Sequence, residues 1–421
     1  MSAPWLTIIG LGEDGLNGLS SAAKGALEQA ELVAGGARHL ALAGSLRGRS
    51  LAWPSPIETA YSEILAMRGK PVVVLASGDP FFYGIGSVLA AHLDPAEMQV
   101  FPQVSSMSLA AAKVGWALQD CAIVSLHGRA LEKIIPHLQP GRRILALSWD
   151  ETTPAALARL LVARGLGLSR LMVLERLGGA SARVVRSTAQ DFDANDVHPL
   201  NIVGLEIVAA PDARIIPLAG GLPDDWFIHD GQITKRDTRA MTLGALAPRH
   251  GDLLWDIGAG SGSISIEWML CGESLRAIAI EQSAARAANI RSNARALGVP
   301  DLQIIAGAAP DALTGLPAPD AVFIGGGATV AGVFEAAWAA LKPGGRMVIN
   351  AVTLETQAQL TTLFKAHGGR LVQLNFAEAD AVGRFYGWRA SMPVVMWQVT
   401  KQQVSKQPRT KQDTVDQGVT L

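Results

Sequence analysis

Cysteine is nearly absent from this chain: Cys121 and Cys271 are the only two in 421 residues. A disulfide framework is thereby excluded. Neither cysteine stands in a metal-type spacing, so both are expected as buried thiols in a reducing cytoplasm, with no metal. An excess of charge is also missing, since 36 basic and 37 acidic side chains leave a net charge of −1. That balance gives no electrostatic footprint for wrapping nucleic acid. No uncharged run approaches the roughly 18 residues of a membrane span. The start, Met1-Ser2-Ala3-Pro4-Trp5, has no basic stretch leading into an apolar one, so no exported leader is expected. The chain also shows no evident His/Asp or Cys/His constellation for nucleophilic or acid–base catalysis. What it does have is apolar substance, 49% against 17% charged, and a length that predicts two or three domains with large cores.

Glycine is plentiful, and its densest use organises the chain. Trp255-Asp256-Ile257 is an apolar strand running into Gly258-Ala259-Gly260-Ser261-Gly262, and a helix is predicted from Ser263 to Leu270. Glycines permit positive φ and carry no Cβ, so the backbone approaches a ligand closely. The helix aims its N-terminal N–H groups and positive dipole end at the same spot. About twenty residues on, Ala277-Ile278-Ala279-Ile280-Glu281 reads as the next strand, its terminal carboxylate where a doubly wound sheet meets a ribose. A nucleoside-cofactor site follows. A dinucleotide fingerprint counted from Gly258 wants a glycine or alanine at 263, where Ser263 stands, and the spacing is instead GxGxG. The turn Lys342-Pro343-Gly344-Gly345 and a closing pair of strands, 369–375 and 393–399 around a turn at Gly387, favour another organisation. It resembles the class I S-adenosylmethionine (SAM) methyltransferases, which implies an α/β, Rossmann-like fold with a seven-stranded sheet.

The first half repeats the theme of apolar strands ending in small or polar residues. Trp5 to Ile9 opens into Gly10-Leu11-Gly12, then Glu13-Asp14. Pro71 to Ala76 ends in Ser77-Gly78-Asp79-Pro80, at the strand end where open α/β sheets hold ligands. Pro102-Gln103-Val104-Ser105-Ser106 precedes a helix that either serine is suited to cap. A further strand ends in Leu126-His127-Gly128-Arg129. In this order the four tips resemble the tetrapyrrole methylases of corrin and sirohaem synthesis, over roughly residues 4–210. The resemblance implies two α/β subdomains with SAM between them. It implies that the Gly10/Gly12 turn, Ser77, Gly78, Asp79, Ser105 and Ser106 line the cofactor, with His127 on its adenosine side. Where many relatives have proline after the first glycine pair, this chain has Glu13-Asp14, which looks like the branch acting late in corrin synthesis.

A stretch rich in breakers, from Ala209 to Pro223, sets the expected boundary: residues 1–212, then 213–400, then a disordered tail over 401–421 rich in Gln, Lys, Thr and Val. The second half carries Leu222-Pro223-Asp224-Asp225-Trp226-Phe227, Gln232-Ile233-Thr234-Lys235, Asp256 to Gly262, Gly307-Ala308-Ala309 and Phe323-Ile324-Gly325-Gly326. These residues resemble the decarboxylating precorrin C15-methyltransferases. The resemblance implies cofactor contacts from Thr234, Gly258, Ala259, Gly260, Ser261, Gly262, Glu281 and Ala309. A chain carrying both families resembles the fused C5,15-methyltransferases of aerobic cobalamin synthesis. It implies two SAM sites, C5 methylation of precorrin-6B by the first half, and C15 methylation with loss of the ring C acetate carboxyl by the second, giving precorrin-8x. A polycarboxylate tetrapyrrole needs cations, and Lys235, Arg236, Arg239, Arg384, Arg389 and Arg129 are the candidates, against the plainer reading of solvated surface charge. No catalytic acid or base is assigned. The expected assembly is a homo-oligomer, with no nucleic-acid or membrane partner. The rivals are a bifunctional methyltransferase of another small molecule or of RNA, and a first half that only binds SAM or supports assembly. Against RNA stands Gly325-Gly326-Gly327 where base-methylating enzymes carry an acidic or amide residue followed by two prolines.

Overall fold

The computed structural model describes residues 4–402, and the chain divides into two compact units, Met1–Ile216 and Pro217–Leu421, within the breaker-rich linker. In the first unit β1 (Leu6–Leu11), β2 (Leu32–Gly35), β3 (Arg49–Ala52), β4 (Val72–Ser77) and β5 (Met98–Phe101) form a parallel sheet in the order β3-β2-β4-β1-β5. Parallel strands need crossovers, which α1 (Ser21–Gln29), α2 (Ala37–Ala43), α3 (Glu58–Ala66) and α4 (Ile85–Leu89) supply. Burial on both faces explains why β4 reads as an unbroken apolar run. Val72 and Val74 join one core cluster with Leu6 and Ile8, while Val73 and Leu75 join the opposite one with Ile9 and Leu27.

After α5 (Ser106–Val114), a second sheet of this unit holds β6 (Cys121–Ser125), β7 (Arg143–Leu147), β8 (Arg170–Glu175), β9 (Arg183–Thr188) and β10 (Asn201–Glu206), with α6 (Thr153–Ala163) between β7 and β8. Its order is β6-β7-β10-β8-β9, antiparallel except between β6 and β7. Met107 and Ala110 of α5 pack on Leu145, Leu174 and Ile202 of this sheet. The two expected α/β subdomains are therefore both present.

The second unit begins with α7 (Arg236–Leu246), then alternates β11 (Leu253–Ile257), α8 (Ser263–Leu270), β12 (Arg276–Glu281), α9 (Ala284–Ala296), β13 (Gln303–Ala306), β14 (Ala321–Ile324), α10 (Val333–Ala340), β15 (Arg346–Ala351) and α11 (Leu354–His367). It closes with β16 (Arg370–Leu374), a hairpin of β17 (Ala377–Val382) and β18 (Phe385–Ala390), and β19 (Val394–Thr400). The seven-stranded sheet runs β13-β12-β11-β14-β15-β19-β16, with β19 antiparallel to both neighbours. Strand order reverses beside β11, which is where such sheets open a crevice for ligands.

Three expectations are corrected. The closing turn is not at Gly387, which lies within β18 opposite Asp380; the chain turns at Gly383, whose φ of +62° suits the reversal. Cys271, just past the end of α8, is exposed, and Cys121 on edge strand β6 is half-buried, so neither is a core thiol. Of the expected disordered tail, residues 403–421 lie outside the described residues, whereas Lys401 is held, its Nζ donating to the carbonyls of Trp338 at 2.6 Å and Leu341 at 2.7 Å. Among the described residues no helix is long and apolar enough to cross a membrane, and no group of three His, Cys, Asp or Glu is placed to hold a metal.

Candidate functional site

In the second unit the tip of β11 is a backbone cradle. Gly258 has φ +70°, and a Cβ there would stand 2.7 Å from the Gly326 carbonyl oxygen, so only glycine lets the tips of β11 and β14 meet. The N–H groups of Gly258 and Ala259 both donate to the Ile280 carbonyl, at 3.0 and 3.1 Å, tying the loop to β12. Glu281 at the end of β12 is buried, 3% exposed. Its Oε2 accepts from Gly260 N–H and its Oε1 from Ser283 N–H, both at 2.9 Å. Each oxygen keeps a further lone pair, so the clamped carboxylate is prepared for a vicinal diol such as a ribose.

Around this cradle lies a cavity of about 890 Å³, lined by Gly258, Ala259, Gly260, Glu281, Ala309, Thr234 and the Gly325–Gly327 turn. Towards β15 and the hairpin its wall continues through Asn350, Val352, Phe376, Glu378 and Met392. Such a volume is at the upper end for small-molecule pockets and exceeds what a nucleoside alone fills. Ser261 and Gly262 were expected at the cofactor but do not line it. Ser261 is buried, with its carbonyl accepting from Asn293 Nδ2 at 2.9 Å, and Gly262 packs on Ile290 of α9. Beneath the loop, Asp256 accepts from the Ser265 N–H at 3.1 Å and hydroxyl at 2.6 Å. Burial nevertheless pushes its carboxyl up to about 6.

Arg239 is not a substrate contact. It is fully buried, paired with Glu267 and, at 3.0 Å, with Asp224, and it donates to the carbonyls of Leu222 and Thr234. Its guanidinium also lies 4.9 Å from the Phe227 ring. Glu267 in turn accepts the N–H groups of Gly221 and Leu222. The Leu222–Phe227 motif and Thr234 are thus hung on one internal ion pair. Arg239→Met is expected to leave Glu267 buried and unpaired and to lower stability by about 3–5 kcal/mol. Denaturant unfolding of the full chain checks this, and a midpoint unchanged from wild type contradicts it.

The cations that do reach the cavity are Lys235, Arg236 and Arg286. Lys235 is exposed, with its Nζ 3.6 Å from Asp224 Oδ2. Arg286 escaped sequence reasoning because nothing in the Ala-rich α9 singles it out; its Nε lies 2.8 Å from Asp230, whose carboxyl it holds below the usual range. Arg384 and Arg389 sit on the hairpin and do not line the cavity. Arg384 lies over the Phe385 ring at 5.1 Å, and Arg389 pairs with Asp380 at 2.7 Å.

In the first unit the tips of β1 and β4 meet the segment after β5, and one role changes. A Cβ on Gly10 would lie 1.8 Å from the Gly78 carbonyl oxygen, so this glycine makes room for chain rather than ligand. Gly78 N–H donates to Leu11 at 3.2 Å and its carbonyl accepts from Gln103 N–H at 3.1 Å, which locks the tips of β1 and β4 to the segment after β5. Gly12 follows at the same tip, next to the Asp14 carboxylate. Asp79 accepts the Phe81 N–H at 2.9 Å, shaping its own turn. Ser105 caps α5 by accepting the Ser108 N–H at 3.2 Å, and Ser106 stays exposed. His127 is exposed beyond β6, and nearby Arg129 lies over the Tyr83 ring at 5.3 Å. Ser77 is bound into a group that the sequence did not reveal. Its hydroxyl stands 3.1 Å from Arg38 Nη2 and 2.8 Å from His39 Nε2, and Arg38 pairs with Glu13. Glu13, which follows the first glycine pair, thereby has a partner.

Family models agree with this division. That for tetrapyrrole (corrin/porphyrin) methylases matches residues 5–193, and that for the precorrin methyltransferase domain matches residues 225–401. A cobalt-precorrin-7 C(5)-methyltransferase of Salmonella typhimurium is 34% identical over 198 residues, 46% of this chain and 96% of its own. A probable cobalt-precorrin-6B C(15)-methyltransferase (decarboxylating) of Saccharolobus solfataricus is 38% identical over 142 residues, 32% of this chain and 71% of its own. Far longer is the likeness to a precorrin-6Y C(5,15)-methyltransferase (decarboxylating) of a Sinorhizobium species, 54% identical over 400 residues, 95% of this chain and 97% of that protein. Similarity of that depth along nearly the whole chain means that it belongs to the family of decarboxylating precorrin-6Y C(5,15)-methyltransferases.

Proposed function

We propose that this chain methylates a precorrin at C5 through its first unit and at C15 through its second, where an acetate side chain also loses carbon dioxide, with one SAM site in each unit. The observation that carries the reading is the cradle of the second unit: a glycine loop against β14, with a buried Glu281 whose two oxygens are already fixed by backbone donors. That arrangement fits the nucleoside part of SAM. SAM, when bound, would supply an electrophilic methyl carbon open to in-line attack by an enamine-like ring carbon, with the sulfur as leaving group.

The protein's part is alignment, worth up to about 7–11 kcal/mol in well-oriented systems. Glu281 would hold the ribose hydroxyls, the Gly258–Gly260 backbone would pass close to the amino-acid end, and Thr234 and Ala309 would close the walls. Lys235, Arg236 and Arg286 line the same cavity and would meet the carboxylates of a polycarboxylate substrate. For decarboxylation the conjugated macrocycle would accept the electrons that carbon dioxide leaves behind, and the cavity walls would draw the acetate out of bulk water. The C5 and C15 assignments draw support from the two single-activity relatives, each of which aligns over a stretch short enough to fit one unit. Incubating the full chain with precorrin-6B and methyl-labelled SAM tests the reading. Two labelled methyl groups and one carbon dioxide per product are expected, and a product carrying one methyl group contradicts it.

A further inference from the structure

Ser77, at the exposed end of β4, faces a pair of side chains that the methyl-transfer scheme leaves unused. His39 Nε2 lies 2.8 Å from the Ser77 hydroxyl and 3.1 Å from Arg38 Nη2. A guanidinium only donates, so Nε2 must present its lone pair to it. The imidazole proton is then on Nδ1, which is buried without a partner. The Ser77 hydroxyl, facing the same lone pair, donates to it, and it also receives a bond from Arg38 at 3.1 Å. The tautomer is thus assigned from the network of contacts. Glu13 pairs with Arg38 and fixes the guanidinium in this position. Burial, with the Arg38 charge adding to it, lowers the His39 imidazole to about 4, so it stands neutral at physiological pH.

C5 methylation, the activity read above for this unit and on which this inference rests, has an unassigned step. The π electrons at C5 form the new carbon–carbon bond as the methyl–sulfur bond breaks and sulfur leaves with that electron pair. The methine carbon then bears both hydrogen and methyl beside a cationic macrocycle. To regain conjugation the C5–H bond must break, with its electrons returning to the ring. We propose that Ser77 removes this proton, its own hydroxyl proton passing to His39 Nε2, with Arg38 stabilising the charge on the serine oxygen during the transfer. No further reagent is required, and the proton leaves His39 for water. A weak base suffices because the cationic ring makes the C5–H acidic. Ser77 is the catalytic residue; His39, Arg38 and Glu13 position and relay.

Ser77→Ala and His39→Ala in the full chain, given precorrin-6B and SAM, test the relay. The C5 step should lose about 10²-fold or more in kcat, a larger factor than any change in KM, while carbon dioxide release and C15 methylation continue at the wild-type rate and report a folded chain. Imidazole in the buffer should restore part of the C5 rate of His39→Ala. The proposal is overturned if both variants keep C5 kcat within about threefold, or if KM rises with kcat unchanged, which would make the cluster a carboxylate anchor. Failure of imidazole to rescue His39→Ala also overturns it, since the ring would then serve packing alone. An Asp79→Asn variant separates the levels. If it retains C5 methylation, the assignment of C5 to this unit fails; if it loses C5 methylation while Ser77→Ala keeps it, only the relay fails.

Discussion

Gly258→Val is expected to abolish carbon dioxide release and C15 methylation, with a loss on the order of 10³-fold, equivalent to about 4 kcal/mol of transition-state binding. A β-branched side chain at φ +70° is sterically excluded, and its Cβ would also meet Gly326 at 2.7 Å. Relief requires the tips of β11 and β14 to part, which displaces the backbone flanking the Gly260 N–H bond to Glu281. The ribose clamp and the floor of the cavity are therefore damaged together. Mass analysis of the products with precorrin-6B checks the result, and circular dichroism confirms that the chain remains folded. Wild-type carbon dioxide release from this variant would show that the glycine loop is not where the cofactor sits.

Asp79→Asn is expected to have the complementary effect, a drop of about 10²-fold in C5 methylation with C15 methylation and decarboxylation unaffected. The amide retains an oxygen to accept the Phe81 N–H, so the turn survives. What is lost is negative charge at the crowded strand tips beside Ser77 and Gly78, where a sulfonium or ammonium group gains several kcal/mol from a nearby carboxylate at an effective dielectric of about 20. The accumulating product would carry one new methyl group and lack one carboxyl. An unchanged C5 rate would contradict the assignment of C5 methylation to this unit.

Much of this organisation was legible in the sequence, because it rests on short-range signals. The β11–glycine–α8 unit, the acid at the tip of β12 and the antiparallel pair at the sheet edge each follow from local pattern, and the two subdomains of the first unit follow from strand tips in family order. The misreadings share a cause, namely that side-chain direction and long-range pairing have no local signature. Arg239 looks like a free cation beside the cofactor loop, but α7 turns it inward onto Glu267, 28 residues away. Gly10 looks like a ligand glycine, yet Gly78 occupies the space above it. Ser261 sits inside the glycine motif, yet it is buried and its carbonyl is taken by Asn293 of α9. The Arg38–His39–Ser77 group joins residues 38 and 39 positions apart. The hairpin of β17 and β18, with Trp388 and Tyr386 exposed, alternates too weakly in polarity to be foreseen.

The number of SAM molecules bound per chain tests the central claim most directly. Titration calorimetry of the full chain with SAM should give two sites, and Gly258→Val should leave one. A stoichiometry of one for the wild-type chain, or loss of all binding in Gly258→Val, would contradict two independent methyl-transfer sites in one polypeptide.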